Sequence, residues 1–354
     1  MSRFMLVTQT LVGGGAERMV ARLSTYLKKN GHEVIVVLSY RNDNEYTIDC
    51  NQIETIAEDA EKYKNCGKLK RLMVLRKLFY KYNPDIIIPF LNHIGKYVLI
   101  STFASKYRKR VVVTIRNNPL QENFFEIKKM IKQAKLCVAQ NIGQKDLFDK
   151  HLQDKIIVIP NFVDENLFLE EKHYSKEVHS IIATGRLTVQ KNYFLLLEAF
   201  KECHFSDVKL YIYGIGELSD SIVSWIKEHH LEEKIILKGF SNQIKEAMLS
   251  SDLYVMSSNF EGMPNSLLEA SALGLPVIST DCPYGPSDII KDHKTGILVP
   301  CDNVQALKDA LLYFYENPLK CLEYGRQGKK YAMEKYSYQR IITLWEDIVN
   351  KIQK

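Results

Sequence analysis

Twelve short apolar runs, six in each half of the chain, alternate with stretches long enough to form helices. In the first half they read FMLVT, EVIVVL, DIIIPF, RVVVTI, KLCVA and KIIVI; in the second, HSIIATG, KLYIYG, KIILKG, DLYVMS, LPVIST and TGILVP. A strand with water on one face alternates apolar and polar residues, whereas a strand covered on both faces is apolar throughout. These runs are of the second kind. Parallel strands joined by helical crossovers cover both faces, so two doubly wound α/β domains in tandem are expected. A length of 354 residues suits two cores rather than one. The polar segment PNFVDENLFLEEKHYSKE is the best boundary between them, which gives domains at 1–165 and 166–336. Residues 337–354 are helical in pattern with no strand after them, and are expected to pack back on the N-terminal domain.

No apolar run approaches the roughly 20 residues a membrane span needs. The N-terminus sets a short apolar run against a glycine cluster and has neither the apolar core nor the cleavage site of a signal peptide. A cytoplasmic location is expected. The seven cysteines are scattered and form no C-x-x-C pair, so reduced thiols are expected and a zinc site is not. Residues 1–160 hold 27 Lys and Arg against 15 Asp and Glu, a balance of +12; residues 161–354 hold 21 against 27, or −6. A basic first half suits an anionic partner such as a phosphorylated substrate, a nucleic acid or an acidic membrane surface. No helix-turn-helix, zinc or RNA-binding signature accompanies the charge, and nucleic acid is set aside.

In a doubly wound sheet, ligands bind where strands end and helices begin. After the first strand come Gly13, Gly14 and Gly15, which permit a tight turn and a close approach of backbone to ligand. The dinucleotide fingerprint is incomplete, because Arg18 stands where its third glycine would be and no acid closes the second strand. In the second half, Arg186 follows a strand and Lys191 lies at a helix start, two cations suited to a pyrophosphate without a metal. The loops carrying Gly214 and Gly216, and Gly239 and Phe240, would admit a nucleotide with its base near Phe240. The segment EGMPNSLLEA follows another strand and holds two carboxylates, Glu261 and Glu269. Ser266 and Glu269 have the spacing of a capping box, so Glu269 is either a cap or a ligand group on this evidence, and Glu261 either a solvated loop carboxylate or a ligand group.

The segments GRLTVQKN, GIGE, GFSNQIKEAMLSSDLYVMSSNFEGMPNSLLEASALGLPVISTD and GILVP resemble the nucleotide-sugar domain of retaining glycosyltransferases of family 4. GGGAE and IPNFVD extend the resemblance over nearly the whole chain, and CPYGPSDII is similar to bacterial members that build surface polysaccharides. The resemblance implies a GT-B fold, two Rossmann-like domains facing a central cleft, the first for the acceptor and the second for the donor. Glu261 and Glu269 match the family's E-x7-E motif. Glu261 would then hold hydroxyls of the donor sugar and Glu269 the ribose, while backbone near Gly262, Met263, Asn265 and Ser266 faces phosphates and sugar. Pro264 has no N–H to donate.

The family implies retention by same-face attack, with the leaving phosphate helping to deprotonate the acceptor. No D-x-D triplet is present, so a metal-independent site with no cofactor is expected, charge on the leaving diphosphate being met by Arg186, Lys191 and backbone donors. Many members place a histidine after the strand corresponding to VVVTI; here stand Arg116 and Asn117, candidates for sugar or acceptor contact together with His93. The donor is expected to be a UDP-sugar carrying a hexose or N-acetylhexosamine, and the acceptor a growing, lipid-linked glycan. The stretch Gly67 to Tyr82 reads as a basic amphipathic helix suited to the inner leaflet or, equally, as a core-packed helix with a basic outer face. Two other readings stay open, a GT-B-fold sugar-nucleotide epimerase working without acceptor and a nucleotide-binding protein without turnover.

Overall fold

The computed structural model describes residues 1–43 and 45–353, the side chain of Gln353 excepted. The chain divides into two compact units: 1–162 with 338–354, and 163–337.

The first unit contains β1 (Arg3–Thr8), β2 (Glu33–Leu38), β3 (Gln52–Thr55), β4 (Ile86–Pro89), β5 (Val112–Thr114), β6 (Leu136–Ala139) and β7 (Ile156–Val158), all paired in parallel. The strands run in the order β3-β2-β1-β4 and β5-β6-β7, and a parallel bridge between Ile87 and Val111 joins the two sets. β3 has no counterpart among the twelve runs of the sequence. It lies at the sheet edge with only Ile53 apolar, too short and too polar for hydropathy to reveal.

Both faces of this sheet are covered, as its uninterrupted apolar strands require. Along β1, Phe4 and Leu6 enter one core cluster, and Met5 and Val7 enter the cluster on the opposite face. The helix Tyr338–Gln353 belongs to the first of these clusters through Ile341, Ile342, Trp345, Ile348 and Val349. Trp345 is fully buried and stacks on Phe90, with ring centroids 6.3 Å apart. Glu346 fixes the helix laterally, accepting a hydrogen bond from Asn30 and meeting a His32 ring nitrogen at 3.0 Å.

The second unit contains β8 (Ser180–Thr184), β9 (Lys209–Tyr213), β10 (Ile235–Gly239), β11 (Leu253–Met256), β12 (Val277–Thr280) and β13 (Ile297–Val299). Its six parallel strands run β10-β9-β8-β11-β12-β13, a doubly wound order whose direction reverses beside β8. The boundary falls three residues before the position expected from sequence. Val163 already pairs with Ser337, and Leu167 and Phe168 of the short helix Glu165–Leu169 pack on this unit's core.

Candidate active site

Four loops at the carboxyl edge of the second sheet follow β8, β9, β10 and β11. The β8 loop turns at Gly185, continues through exposed Arg186, forms a 3-10 turn at Val189–Lys191 and enters the helix Tyr193–Glu202. Asn192 joins turn to helix in the left-handed conformation, and its amide donates to Asn259 Oδ1 at 2.8 Å and to Asp302 Oδ1 at 3.0 Å.

Lys191 and Glu261 form an ion pair, Nζ to Oε1 at 2.6 Å, with side chains only 16% and 9% exposed. Ser258 donates to the same carboxylate oxygen at 2.8 Å, and Thr280 Oγ1 donates to the Ser258 carbonyl at 2.6 Å. Gln190 donates to the Phe260 carbonyl and accepts, through its own carbonyl, from the Asn259 N–H. The β8 and β11 loops are therefore laced together by side chain and backbone, and Glu261 is no solvated loop carboxylate. Burial works against the Lys191 charge, but Glu261 outweighs it and the pKa stands above the ordinary 10.5. Burial likewise raises the Tyr193 and Tyr254 pKa values, so both phenols stay protonated at neutral pH.

The glycines at the neighbouring strand ends have a packing reason. A Cβ on Gly214, whose φ is +149°, would lie 1.8 Å from the Gly185 carbonyl oxygen, and one on Gly216 2.3 Å from that of Leu187. The β9 loop thus sits directly on the β8 loop, closed by Leu187 N–H to the Ile215 carbonyl at 3.0 Å. These glycines position the segment carrying Arg186. Gly216→Ala is expected to cost about 1–3 kcal/mol, because backbone rather than a movable side chain must yield; urea denaturation measures it. Gly239 also has positive φ with open space around it, and Phe240 beside it is 51% exposed.

The helix after β11 runs Asn265–Leu273, with Pro264 as N-cap and no side-chain cap. The capping box is not formed. The Ser266 hydroxyl accepts from Tyr254 at 2.8 Å instead, and Glu269 lies farther into the helix and is buried. Gly262, Met263 and Asn265 are buried too. Gly285, with φ +96°, packs against them, since a Cβ there would meet Pro264 Cδ at 2.6 Å and the Gly262 carbonyl at 2.9 Å. Sequence reasoning missed the roles of Ser258, Asn192, Thr280 and Gly285; the conspicuous signals were SSN before Glu261 and the glycine within CPYGP.

In the first unit, Gly14 caps the helix Gly15–Lys29, and the position of its absent Cβ lies 1.8 Å from Glu17 Oε2. The space over that helix start is taken by the chain's own carboxylate. His93 is exposed on the first turn of Asn92–Ser101, and partial desolvation followed by the Lys96 charge lowers its pKa. Asn117 accepts from the Asn118 N–H, and Asn118 in turn caps the 3-10 turn Pro119–Gln121. The Arg116 guanidinium turns inward, lying 4.7 Å from the Phe90 ring centroid and 5.9 Å from that of Trp345, with Nη1 donating to Asn161 Oδ1 at 3.2 Å. Its Nε and Nη2 are buried without a hydrogen-bond partner among the described residues.

Among the described residues, Glu177, His179 and Asp207 are close enough to hold a cation. They are exposed, and each ring nitrogen of His179 already faces a carboxylate, at 3.3 and 3.0 Å.

A GT-B architecture accounts for the two doubly wound units: the chain superposes on a TarM mutant from Staphylococcus aureus, solved with fondaparinux, α-GlcNAc-glycerol and UDP, with TM-score 0.83, 18% identity and coverage of 99% of this chain and 100% of that one. Sequence models for Glycosyltransferase Family 4 and for Glycosyl transferases group 1 match residues 13–167 and 165–331. The chain belongs to this glycosyltransferase family. It is 31% identical over 218 residues to the poly(ribitol-phosphate) α-N-acetylglucosaminyltransferase of Staphylococcus aureus, a match spanning 61% of this chain but only 43% of that protein. It is 27% identical over 359 residues, 94% of this chain and 95% of the relative, to the N-acetylgalactosamine-N,N'-diacetylbacillosaminyl-diphospho-undecaprenol 4-α-N-acetylgalactosaminyltransferase of Campylobacter jejuni.

Proposed function

We propose that this protein transfers a hexose or N-acetylhexosamine from a UDP-sugar to a growing lipid-linked glycan, with retention of anomeric configuration and without a metal ion, in surface polysaccharide synthesis. The observation carrying this reading is the buried Lys191–Glu261 pair beside exposed Arg186 at the carboxyl edge of a parallel sheet. Departure of UDP concentrates negative charge on the diphosphate, and fixed donors lower that barrier by stabilising the charge as it develops. In this proposal Arg186 and Lys191 face the diphosphate together with the backbone from Gly262 to Ser266. Glu261 holds donor-sugar hydroxyls and Glu269 the ribose, with the base near Gly239 and Phe240. The first unit receives the acceptor through His93 and Asn117, and Arg116 holds the Asn117 turn from below.

The UDP in the TarM complex and the diphospho-undecaprenol in the Campylobacter relative's name support the donor and acceptor classes. The test is a transfer assay with UDP-sugars and a lipid-diphosphate glycan, in excess chelator, with the product's anomeric configuration read by NMR. A product keeping the donor's α configuration is expected. Inversion, or activity only with added metal, overturns that part of the proposal; conversion of UDP-sugar without acceptor favours an epimerase.

A further inference from the structure

The helix Lys68–Tyr82 buries Leu75, Leu78 and Phe79 in the core, which uses its apolar residues on one side only. On the outer side Leu69, Met73 and Tyr80 are exposed, Leu69 by 76%, at spacings that place them in one stripe. The stripe continues onto a neighbouring element. Arg76 Nη1 donates to the Phe103 carbonyl at 3.2 Å, the Tyr80 ring meets Tyr107 edge-on at 5.2 Å, and Ile100 and Phe103 are themselves exposed, Phe103 by 70%. Single exposed apolar residues need no explanation, but a patch gathered from two elements marks a surface that meets something.

The charge around the patch identifies what it meets. From Lys68 to Arg110 the chain holds 11 Lys and Arg against one acid, Asp85. That acid is turned to the Arg3 backbone N–H, at 2.8 Å. Lys68, Lys70, Lys77 and Lys106 are exposed beside the patch. Apolar side chains that reach past their backbone, ringed by long basic side chains able to lie along the headgroups, match an anionic bilayer.

We propose that Leu69, Met73, Tyr80, Ile100 and Phe103 form a face that inserts into an anionic lipid surface, steered by Lys70, Lys77 and Lys106. This rests on the reading that the acceptor is lipid-linked, and deepens it by naming the face the bilayer meets. A membrane-bound acceptor is then presented to the unit carrying His93 and Asn117. Among the described residues no helix is long and apolar enough to cross a membrane, so the contact is with the surface.

The test is flotation of the full chain with phosphatidylcholine vesicles, with and without phosphatidylglycerol, at low and high salt. Binding is expected only to the phosphatidylglycerol vesicles and should weaken with salt. Lys70→Gln and Lys77→Gln should each reduce partitioning about fivefold, the equivalent of about 1 kcal/mol per charge at an anionic surface. Met73→Ser with Phe103→Ser should reduce it at least tenfold, whereas Leu319→Ser, exposed in the other unit, should not. All variants are expected to keep the thermal shift given by UDP, which separates this face from the donor site. No flotation of the wild type, or equal flotation of the Met73→Ser/Phe103→Ser variant, overturns the proposal even where UDP binds. Self-association of the wild type that is lost in that variant also overturns it, by assigning the patch to a second copy.

Discussion

Replacing Glu261 with alanine should remove transfer and about 3 kcal/mol of stability at once, because it leaves the Lys191 ammonium buried without its counter-charge. The pair is at most 16% exposed on either side, and solvent screens it little. Lys191→Ala should be comparably costly, leaving a buried carboxylate that keeps the Ser258 hydrogen bond but loses its counter-charge. The combination Lys191→Met with Glu261→Leu should be more stable than either single variant, since apolar groups of similar volume need no solvation. That double variant should still fail to bind UDP normally. Urea denaturation of the wild type, Lys191→Met, Glu261→Leu and their combination gives the coupling energy, and a value near zero would show that the two charges do not stabilise each other in the fold. The sign of its pH dependence follows from Lys191. With the folded-state pKa raised above 10.5, the stabilisation is fully present below 10.5 and disappears as pH rises through the folded value. The coupling should therefore be constant from neutral to mildly alkaline pH and shrink only beyond it.

The fold was legible because burial on both sides leaves an unmistakable pattern. All twelve apolar runs contain strands, and the strand that escaped, β3, is the edge strand with one apolar residue. The site was legible unevenly. The spacing of Glu261 and Glu269 located two buried carboxylates on either side of a helix start, but the spacing of Ser266 and Glu269 suggested a cap that does not form, because the helix begins at Asn265 and Ser266 falls inside its first turn. Gly214 and Gly216 stood out as ligand-loop glycines, although their immediate constraint is the backbone of the adjoining loop. Contacts between loops distant in sequence leave no periodic trace. Arg116 shows this most plainly: its position after a strand reads as a ligand group, yet its guanidinium lies against Phe90 and Trp345. Nothing local to RNNP announces a tryptophan more than two hundred residues away.

Arg186→Ala is expected to behave oppositely to Lys191→Ala, and the contrast tests how work is divided at the donor site. Arg186 is exposed and makes no side-chain hydrogen bond or ion pair among the described residues, so its loss should change stability by less than about 0.5 kcal/mol. Its proposed role is only toward the diphosphate. UDP at a hundred times its dissociation constant should stabilise the wild type by about 2.7 kcal/mol. With excess chelator present that shift should persist, and in Arg186→Ala at the same UDP concentration most of it should vanish. GDP and NAD should shift the wild type less. An undiminished UDP shift in Arg186→Ala would remove the residue from the site while leaving Lys191 and Glu261 to be judged by their own variants. A wild type that no nucleoside diphosphate stabilises would take away the donor reading altogether, with the fold standing as before.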